Sequence, residues 1–171
     1  MFFIFLLFAL NIKNAGVETD FKMWFDKDSK VMQKGAEIIT EGPEYETMYA
    51  FGSHCEIKDP GVIIAADKLC DDYGMDTISC GSVIGFAMEL FERGVLSEKD
   101  IGFPLRFGDQ EATVKTIKKI AAKDGIGEVL SLGVKQASEL LGNGVEDYAV
   151  HVKGLEVPAW DPRGRLGMGL L

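Results

Sequence analysis

Two stretches decide the fold of this chain: EGPEYET at residues 41–47 and LCDDYGMDTISCG at residues 69–81. The first has three carboxylates within six residues, beside a Gly-Pro pair at the entry to an apolar segment. The second joins two long apolar runs through an Asp-x-x-Gly-x-Asp turn. Glycine adopts the left-handed conformation that often ends a helix without steric cost. We therefore expect two helices separated by this turn, and a helical scaffold that holds both stretches.

Local signals predict five or six helices joined by glycine turns. Pro43 suits the first position of a helix, and Asp59-Pro60 is a typical helix start. The predicted helices cover residues 44–51 (ended by Gly52), 62–73, 76 or 77 to 94, 109–125, 128–141 and 144–150, with a short turn capped by Ser97. The third of these is nearly free of charge in its first part and should be central. The predicted fold class is mostly α: an irregular helical domain, with short strands at 21–25 and 36–40 and an irregular loop from Lys153 onward.

Composition and charge limit the classes of function. The chain has 171 residues, 47% of them hydrophobic and 26% charged, which is ordinary for one globular domain. Its formal net charge of −9 argues against binding to nucleic acid, because neutralising phosphates requires clustered lysine and arginine. The basic residues are scattered along the sequence instead.

The cysteines and histidines do not form a metal-binding pattern. The three cysteines, Cys55, Cys70 and Cys80, are isolated and contain no C-x-x-C pair. With only two histidines in the chain, this is too few ligands for a structural zinc site or a self-contained iron–sulfur site. His54 lies beside Cys55, which is a weak indication of a metal site. A loop histidine without a function is the more common interpretation. An odd number of cysteines also disfavours a disulfide framework and favours a reducing compartment.

The N-terminal residues 1–10 (MFFIFLLFAL) are almost purely apolar. A bilayer-spanning helix needs about 20 residues, so this segment is too short to cross a membrane. A signal peptide is disfavoured because no basic segment precedes the apolar run and no A-x-A cleavage site follows it. A core strand, or a start within a longer gene, fits at least as well. Membrane association is not expected, and the predicted location is cytoplasmic.

The residues themselves leave two interpretations open for each candidate site. Tyr45 and Glu46 would suit acid–base chemistry in a dry site beside a metal, although helix capping and surface charge are commoner roles. Asp71, Gly74 and Asp76 place two carboxylates and exposed amides at the junction of two helices. Such a turn can accept hydrogen bonds from a heterocycle while the next helix faces a phosphate. It is also an ordinary helix stop followed by an N-cap.

The motifs taken together resemble the aldehyde ferredoxin oxidoreductase family. They are GPEYET at 42–47, the cysteine at 55, DPGVII at 59–64, LCDDYGMDTIS at 69–79, FAMEL at 86–90 and VKGLEVPAWDPRG at 152–164. The resemblance runs from residue 41 to the end. It divides the chain into an irregular or mis-framed segment at 1–40 and a helical domain at 41–171, similar to the family's second domain and the start of its third.

The resemblance implies oxidation of aldehydes to carboxylic acids with ferredoxin as electron acceptor. The family carries a tungsten (sometimes molybdenum) bis-pterin and a four-iron, four-sulfur cluster. By the same resemblance, Glu46 would lie beside the metal and either serve as an acid–base group or orient water, with Tyr45 next to it. Asp71, Gly74 and Asp76 would form a pterin-binding turn. No metal ligand is assigned within the chain, and a homodimer is an open prediction.

The sequence departs from the family pattern in four places. Met75 replaces the usual leucine of the turn, and Glu56 replaces the glycine that usually follows the cysteine. The C-x-x-C-x-x-x-C cluster ligands expected before GPEYET are missing, since residues 1–41 contain no cysteine. The remaining cluster cysteine and the active-site histidine would lie beyond DPRG. We therefore expect a piece of such an oxidoreductase, inactive and without cofactor by itself. The alternative is a cofactor-free helical binding or assembly module derived from the family, with polar residues where the piece would expose apolar patches.

Overall fold

The computed structural model describes residues 42–159 and residue 167. The predictions that concern the apolar start, the strands at 21–25 and 36–40, and the part of the irregular loop after residue 159 lie outside the described residues.

The described residues confirm the mostly α class. Helix α1 (Tyr45–Thr47) continues directly as a π-helix (Met48–Ser53). The other elements are α2 (Pro60–Tyr73), α3 (Thr77–Glu92), α4 (Glu98–Ile101), α5 (Gln110–Ala122), α6 (Ile126–Leu130), α7 (Gly133–Leu141), a 3-10 turn (Val145–Tyr148), β1 (His151–Val152) and β2 (Leu155–Glu156). The two strands pair antiparallel, with His151 opposite Glu156 and Val152 opposite Leu155.

Helix α3 is central, as its low charge predicts. It contacts the π-helix, α2, α5, α7 and the hairpin, and its side chains Ile84, Ala87, Met88 and Leu90 are fully buried. A helix that is apolar on nearly all sides is stable only when other elements surround it. Helix α1 and helix α3, which carry residues of the two predicted site segments, contact each other.

Aspartates begin the longer helices. The side chains of Asp59, Asp76 and Asp109 accept hydrogen bonds from main-chain N–H groups of the first turns of α2, α3 and α5, at 2.8, 2.7 and 2.9 Å. Each carboxylate thus satisfies an amide that has no partner within its helix. Ser97 and Asp100 form a reciprocal capping box at α4.

The first helix differs from its prediction. It begins at Tyr45 with Glu44 as its N-cap, so neither Pro43 nor Glu44 is a helical residue. The segment does not end at Gly52 but continues as a π-helix to Ser53. Gly52 instead allows close packing, because a Cβ placed there would lie 3.2 Å from Cδ1 of Ile63.

The C-terminal half shows three further differences. The helix predicted for 128–141 is two helices, α6 and α7, because Gly133 adopts a left-handed backbone with φ of +83°. Helix α5 ends at Ala122 with Lys123 left-handed, so Gly125 is the N-cap of α6 and does not end α5. Only Val145–Tyr148 is helical within 144–150. The prediction of an irregular chain from Lys153 is wrong at Leu155–Glu156, which form β2. A strand of two residues is too short to show the alternating pattern by which strands are predicted.

No helix within the described residues is long and apolar enough to cross a bilayer.

Candidate functional site

The turn at residues 71–76 joins α2 to α3. Gly74 is left-handed, its N–H donates to the carbonyl of Asp71 at 3.1 Å, and the N–H of Met75 donates to the carbonyl of Cys70 at 2.8 Å. These two bonds form a Schellman motif, which ends α2. Asp71, Gly74 and Asp76 are exposed, and a Cβ at Gly74 would have no atom within 4 Å. The turn is therefore both a helix stop and an open surface with two carboxylates.

A cavity of about 300 Å³ lies beside this turn. Met75, Asp76 and Ser79 line it on the side of α3, while Lys123 at the end of α5 and Ser131 after α6 contribute from other elements. The cavity thus has a carboxylate, an ammonium group and two hydroxyls on its walls. The rest of the lining is mostly apolar, so the cavity suits a ligand with an apolar body that also carries N–H donors or negative charge.

Tyr45 and Glu46 both contact Ala159, which is 113 positions after Glu46 in the sequence. The Ala159 N–H donates to Oε2 of Glu46 at 2.7 Å, and the hydroxyl of Tyr45 donates to the Ala159 carbonyl at 3.3 Å. Tyr45 is exposed and Glu46 is half-buried. The two predicted side chains therefore hold the main chain of one residue from both sides.

A pair of threonine hydroxyls brings the two predicted site segments together. Oγ1 of Thr47 and Oγ1 of Thr77 are 2.8 Å apart, and Thr47 is buried. Thr47 follows Glu46 and is the last residue of α1, and Thr77 follows Asp76 and is the first residue of α3, so this bond joins α1 to the start of α3. Asp71 lies in the last turn of α2, before Gly74, and its side chain is exposed.

Glu156 in β2 is a residue that sequence reasoning missed. Its Oε1 accepts the N–H of Val134 at 2.8 Å, and its Oε2 accepts the hydroxyl of Ser79 at 2.9 Å. The N–H of the same Ser79 donates to Asp76 at 2.7 Å. The signal available in the sequence was the position of Glu156 in the VKGLEVPAWDPRG motif, which gave it no role.

The three cysteines are buried and His54 is partly buried. The His54 ring lies against α3, where its Nε2 would be 2.3 Å from a Cβ at Gly85, and burial lowers the His54 pKa. The Cys55 thiol donates to the Gly81 carbonyl at 3.4 Å, and burial raises its pKa to about 12. A hydrogen bond with Cys70 and burial raise the pKa of Cys80. In the part of the chain that the structure describes, no three potential metal ligands form a group.

Comparison with known proteins agrees with the resemblance. A family model described as aldehyde ferredoxin oxidoreductase, domains 2 and 3, matches residues 23–171. The tungsten-containing aldehyde ferredoxin oxidoreductase of Pyrococcus horikoshii is 47% identical over 135 residues, which are 77% of this chain and 22% of that protein. The aliphatic sulfonate oxidoreductase, WOR-like subunit, of Pyrococcus furiosus is 40% identical over 132 residues, 75% of this chain and 21% of that protein.

A solved structure has the same architecture. The active site complex BamBC of benzoyl coenzyme A reductase, in complex with 1,5-dienoyl-CoA, matches with a TM-score of 0.59 and 33% identity, covering 67% of this chain and 17% of that chain. This chain spans about a fifth of the length of the curated relatives it matches. The family model covers all but the first 22 residues. The chain belongs to the aldehyde ferredoxin oxidoreductase family.

Proposed function

We propose that this chain contributes one part of an enzyme that oxidises aldehydes to carboxylic acids and passes the electrons to ferredoxin. The observation that carries the proposal is the hydrogen bond between Thr47 and Thr77, at 2.8 Å. It joins the segment that carries Tyr45 and Glu46 to the turn that carries Asp76. Both segments match motifs of a family whose members include a tungsten-containing aldehyde ferredoxin oxidoreductase.

The turn fits a pterin. The exposed carboxylates of Asp71 and Asp76 can accept hydrogen bonds from the ring N–H groups, and Gly74 leaves space for close approach. Lys123 in the adjacent cavity can neutralise a phosphate. When bound, a tungsten or molybdenum bis-pterin would supply the two-electron redox chemistry. The four-iron, four-sulfur cluster that the family carries has no ligand assigned in this chain.

We assign the proton transfer of the oxidation to Glu46, with Tyr45 beside it. Because the Ala159 N–H holds Oε2 of Glu46, we assign proton transfer to Oε1 of the same carboxylate. Tyr45, bonded to the Ala159 carbonyl, orients this part of the site. A general acid or base contributes about 10²–10⁴-fold to a rate.

Exposed apolar side chains at the hairpin agree with a chain that packs against further parts of an enzyme. Val150, Val152 and Leu155 are 65%, 62% and 74% exposed. Such side chains mark a surface that another protein segment covers. A cofactor-free binding module would also have such a surface, and the chimera below separates the two. The homodimer and the cytoplasmic location remain predictions.

A chimera tests the proposal. The segment of the Pyrococcus horikoshii relative that aligns with this chain is replaced by the chain's own residues, and tungsten content, pterin content and ferredoxin-dependent aldehyde oxidation are measured. We expect a loaded and active enzyme. A loaded chimera that oxidises no aldehyde would contradict the proposal.

Variants of the chimera assign the roles. Asp76→Asn keeps a good N-cap but removes the charge, so we expect bound pterin to fall by about tenfold. Asp109→Asn, the same change at the cap of α5, is the matched control and should leave pterin content unchanged. Glu46→Gln should keep the tungsten content and lower turnover by about 10²–10⁴-fold. Equal pterin loss in both aspartate variants would mean that Asp76 only caps a helix and does not bind the pterin.

A further inference from the structure

We propose that residues 156–159 form a strap that fixes the two predicted site segments relative to each other, with Glu156 as a positioning residue for Asp76. The strap crosses from the start of α3 to the start of α1. This inference rests on the proposed function for the identity of the site, but its physical test does not.

The first anchor of the strap is the Glu156 carboxylate. It accepts one hydrogen bond from the N–H of Val134 in α7 and one from the hydroxyl of Ser79 in α3. A Cβ at Gly133 would lie 2.8 Å from Glu156 Oε1, so the absence of a side chain there leaves room for the carboxylate. Since Ser79 also donates its N–H to Asp76, Glu156 acts on the turn through one intervening residue.

The second anchor is the main chain of Ala159. Glu46 accepts its N–H at 2.7 Å and Tyr45 donates to its carbonyl at 3.3 Å. Hydrogen bonds to an ionised group are about twice as strong as neutral ones. Both groups of Ala159 are engaged by adjacent residues of α1, so the strap is held there in position and in orientation.

The residues between the anchors make the strap stiff. Pro158 has a fixed φ, and a residue before proline is restricted to extended conformations, which applies to Val157. Both residues are half-buried. A stiff segment transmits a displacement from one anchor to the other, whereas a flexible one absorbs it.

The bond between Thr47 and Thr77 closes the arrangement into a ring. The ring runs from Glu156 through Ser79 and α3 to Thr77, across to Thr47, and through Glu46 to Ala159. Its hydrogen bonds join residues 77, 30 and 113 positions apart, so chain connectivity alone does not impose them. Loosening either anchor should therefore loosen the other.

Amide hydrogen exchange of the full chain, followed residue by residue by NMR, measures this coupling. The reporters are the N–H groups of Val134 and Ala159. We expect Glu156→Ala to accelerate exchange at the distant Ala159 by about tenfold, and Glu46→Ala to accelerate exchange at the distant Val134 by a similar factor. Glu92→Ala, an exposed glutamate at the far end of α3, is the matched control and should change neither.

Conservative variants separate positioning from general loss of stability. Glu156→Gln can accept from Val134 and donate to Ser79, so it should restore the wild-type exchange rate at Ala159. If an alanine variant does not fold, Tyr45→Phe removes only one hydroxyl and should still accelerate Val134 exchange by about threefold. Folded variants that affect only the nearer amide would overturn the strap. No cofactor is present in this experiment, so failure of pterin binding in the chimera would be a separate result.

Discussion

His54 is a partly buried histidine that lies between Gly85 of α3 and the ring of Tyr49. Its ring lies over the backbone at Gly85 and its centroid is 5.8 Å from that of Tyr49. Burial penalises the charged imidazolium and lowers the pKa below its usual value of 6.5. The residue is therefore neutral in the folded chain near neutral pH.

The His54 pKa predicts a loss of stability in acid. Above about pH 6.5 the residue is neutral in both states, and its contribution to stability is fully present. As the pH falls from about 6.5 toward the lower folded-state pKa, His54 takes up a proton in the unfolded chain but not in the folded chain. The contribution of His54 to the free energy of unfolding is therefore lost. Each unit by which the pKa is lowered corresponds to about 1.4 kcal/mol.

Urea unfolding at about pH 7.5 and about pH 5 measures this loss. We expect the free energy of unfolding of His54→Gln to depend less on pH than that of the wild type. His151→Gln, at the chain's only other histidine, is the matched control. Equal pH dependence in the wild type and His54→Gln would contradict the assignment.

Single residues also show which contacts a sequence can predict. Asp59 and Asp76 were predicted as helix starts because a cap bonds to an amide two or three residues away. The contact of Glu46 with Ala159 spans 113 positions, and no local rule identifies the partner of such a carboxylate. Resemblance to the family therefore identified the candidate site residues, and their chemical roles stay proposals. These residues are Tyr45, Glu46, Asp71, Gly74 and Asp76.

At the scale of elements, α3 meets the π-helix through two glycines one turn apart. A Cβ at Gly81 would lie 2.6 Å from the Ala50 Cβ and 2.8 Å from its main chain, whereas a Cβ at Gly85 would meet the His54 ring. The first neighbour is rigid backbone and the second is the end of a side chain. The helices can approach this closely because neither glycine has a side chain.

This contact predicts unequal effects for the same substitution. Gly81→Ala must push α3 and the π-helix apart, and we expect it to lower the free energy of unfolding by about 1–3 kcal/mol. Gly85→Ala should cost less, since the imidazole can rotate away. Urea denaturation of both variants compares them, and a larger loss for Gly85→Ala would be inconsistent with this packing.

The errors in the predicted elements have physical causes. A π-helix has the same local composition as an α-helix, so the continuation to Ser53 gives no separate signal. The split between α6 and α7 depends on Gly133, where the Glu156 carboxylate of a distant strand lies close to the backbone. In both cases tertiary packing decided the boundary.

At the scale of the whole molecule, the described helices share one hydrophobic core. Leu90 of α3, Leu105 of the loop before α5 and Ile117 of α5 are all fully buried in the same cluster. A single cluster predicts that these elements unfold together in one cooperative transition.

Truncation of a core side chain tests this cohesion. We expect Leu90→Ala to destabilise the chain by about 2–5 kcal/mol, because it removes buried methyl groups and leaves a cavity. Val150→Ala, at a side chain that is 65% exposed, is the control and should stay within about 0.5 kcal/mol. Circular dichroism and fluorescence should give the same midpoint, and separate midpoints would contradict a single core.

The mostly α class was predictable because helix periodicity and caps are local and recur many times along the chain. The lack of charge in α3 predicted that this helix is buried at the centre. It did not predict which helices pack against it. The hairpin and its contacts with α3 and α7 depend on distant side chains, and the sequence pattern contained no corresponding signal.

The burial of all three cysteines makes the chain convenient for site-specific labelling. All three side chains, Cys55, Cys70 and Cys80, are at most 4% exposed, and burial raises the pKa of Cys55 to about 12. Maleimides should therefore not modify these thiols at neutral pH. A cysteine introduced at Leu155, which is 74% exposed, would then be the one reactive thiol. A fluorophore or spin label at that position would report on the hairpin without prior removal of the native cysteines.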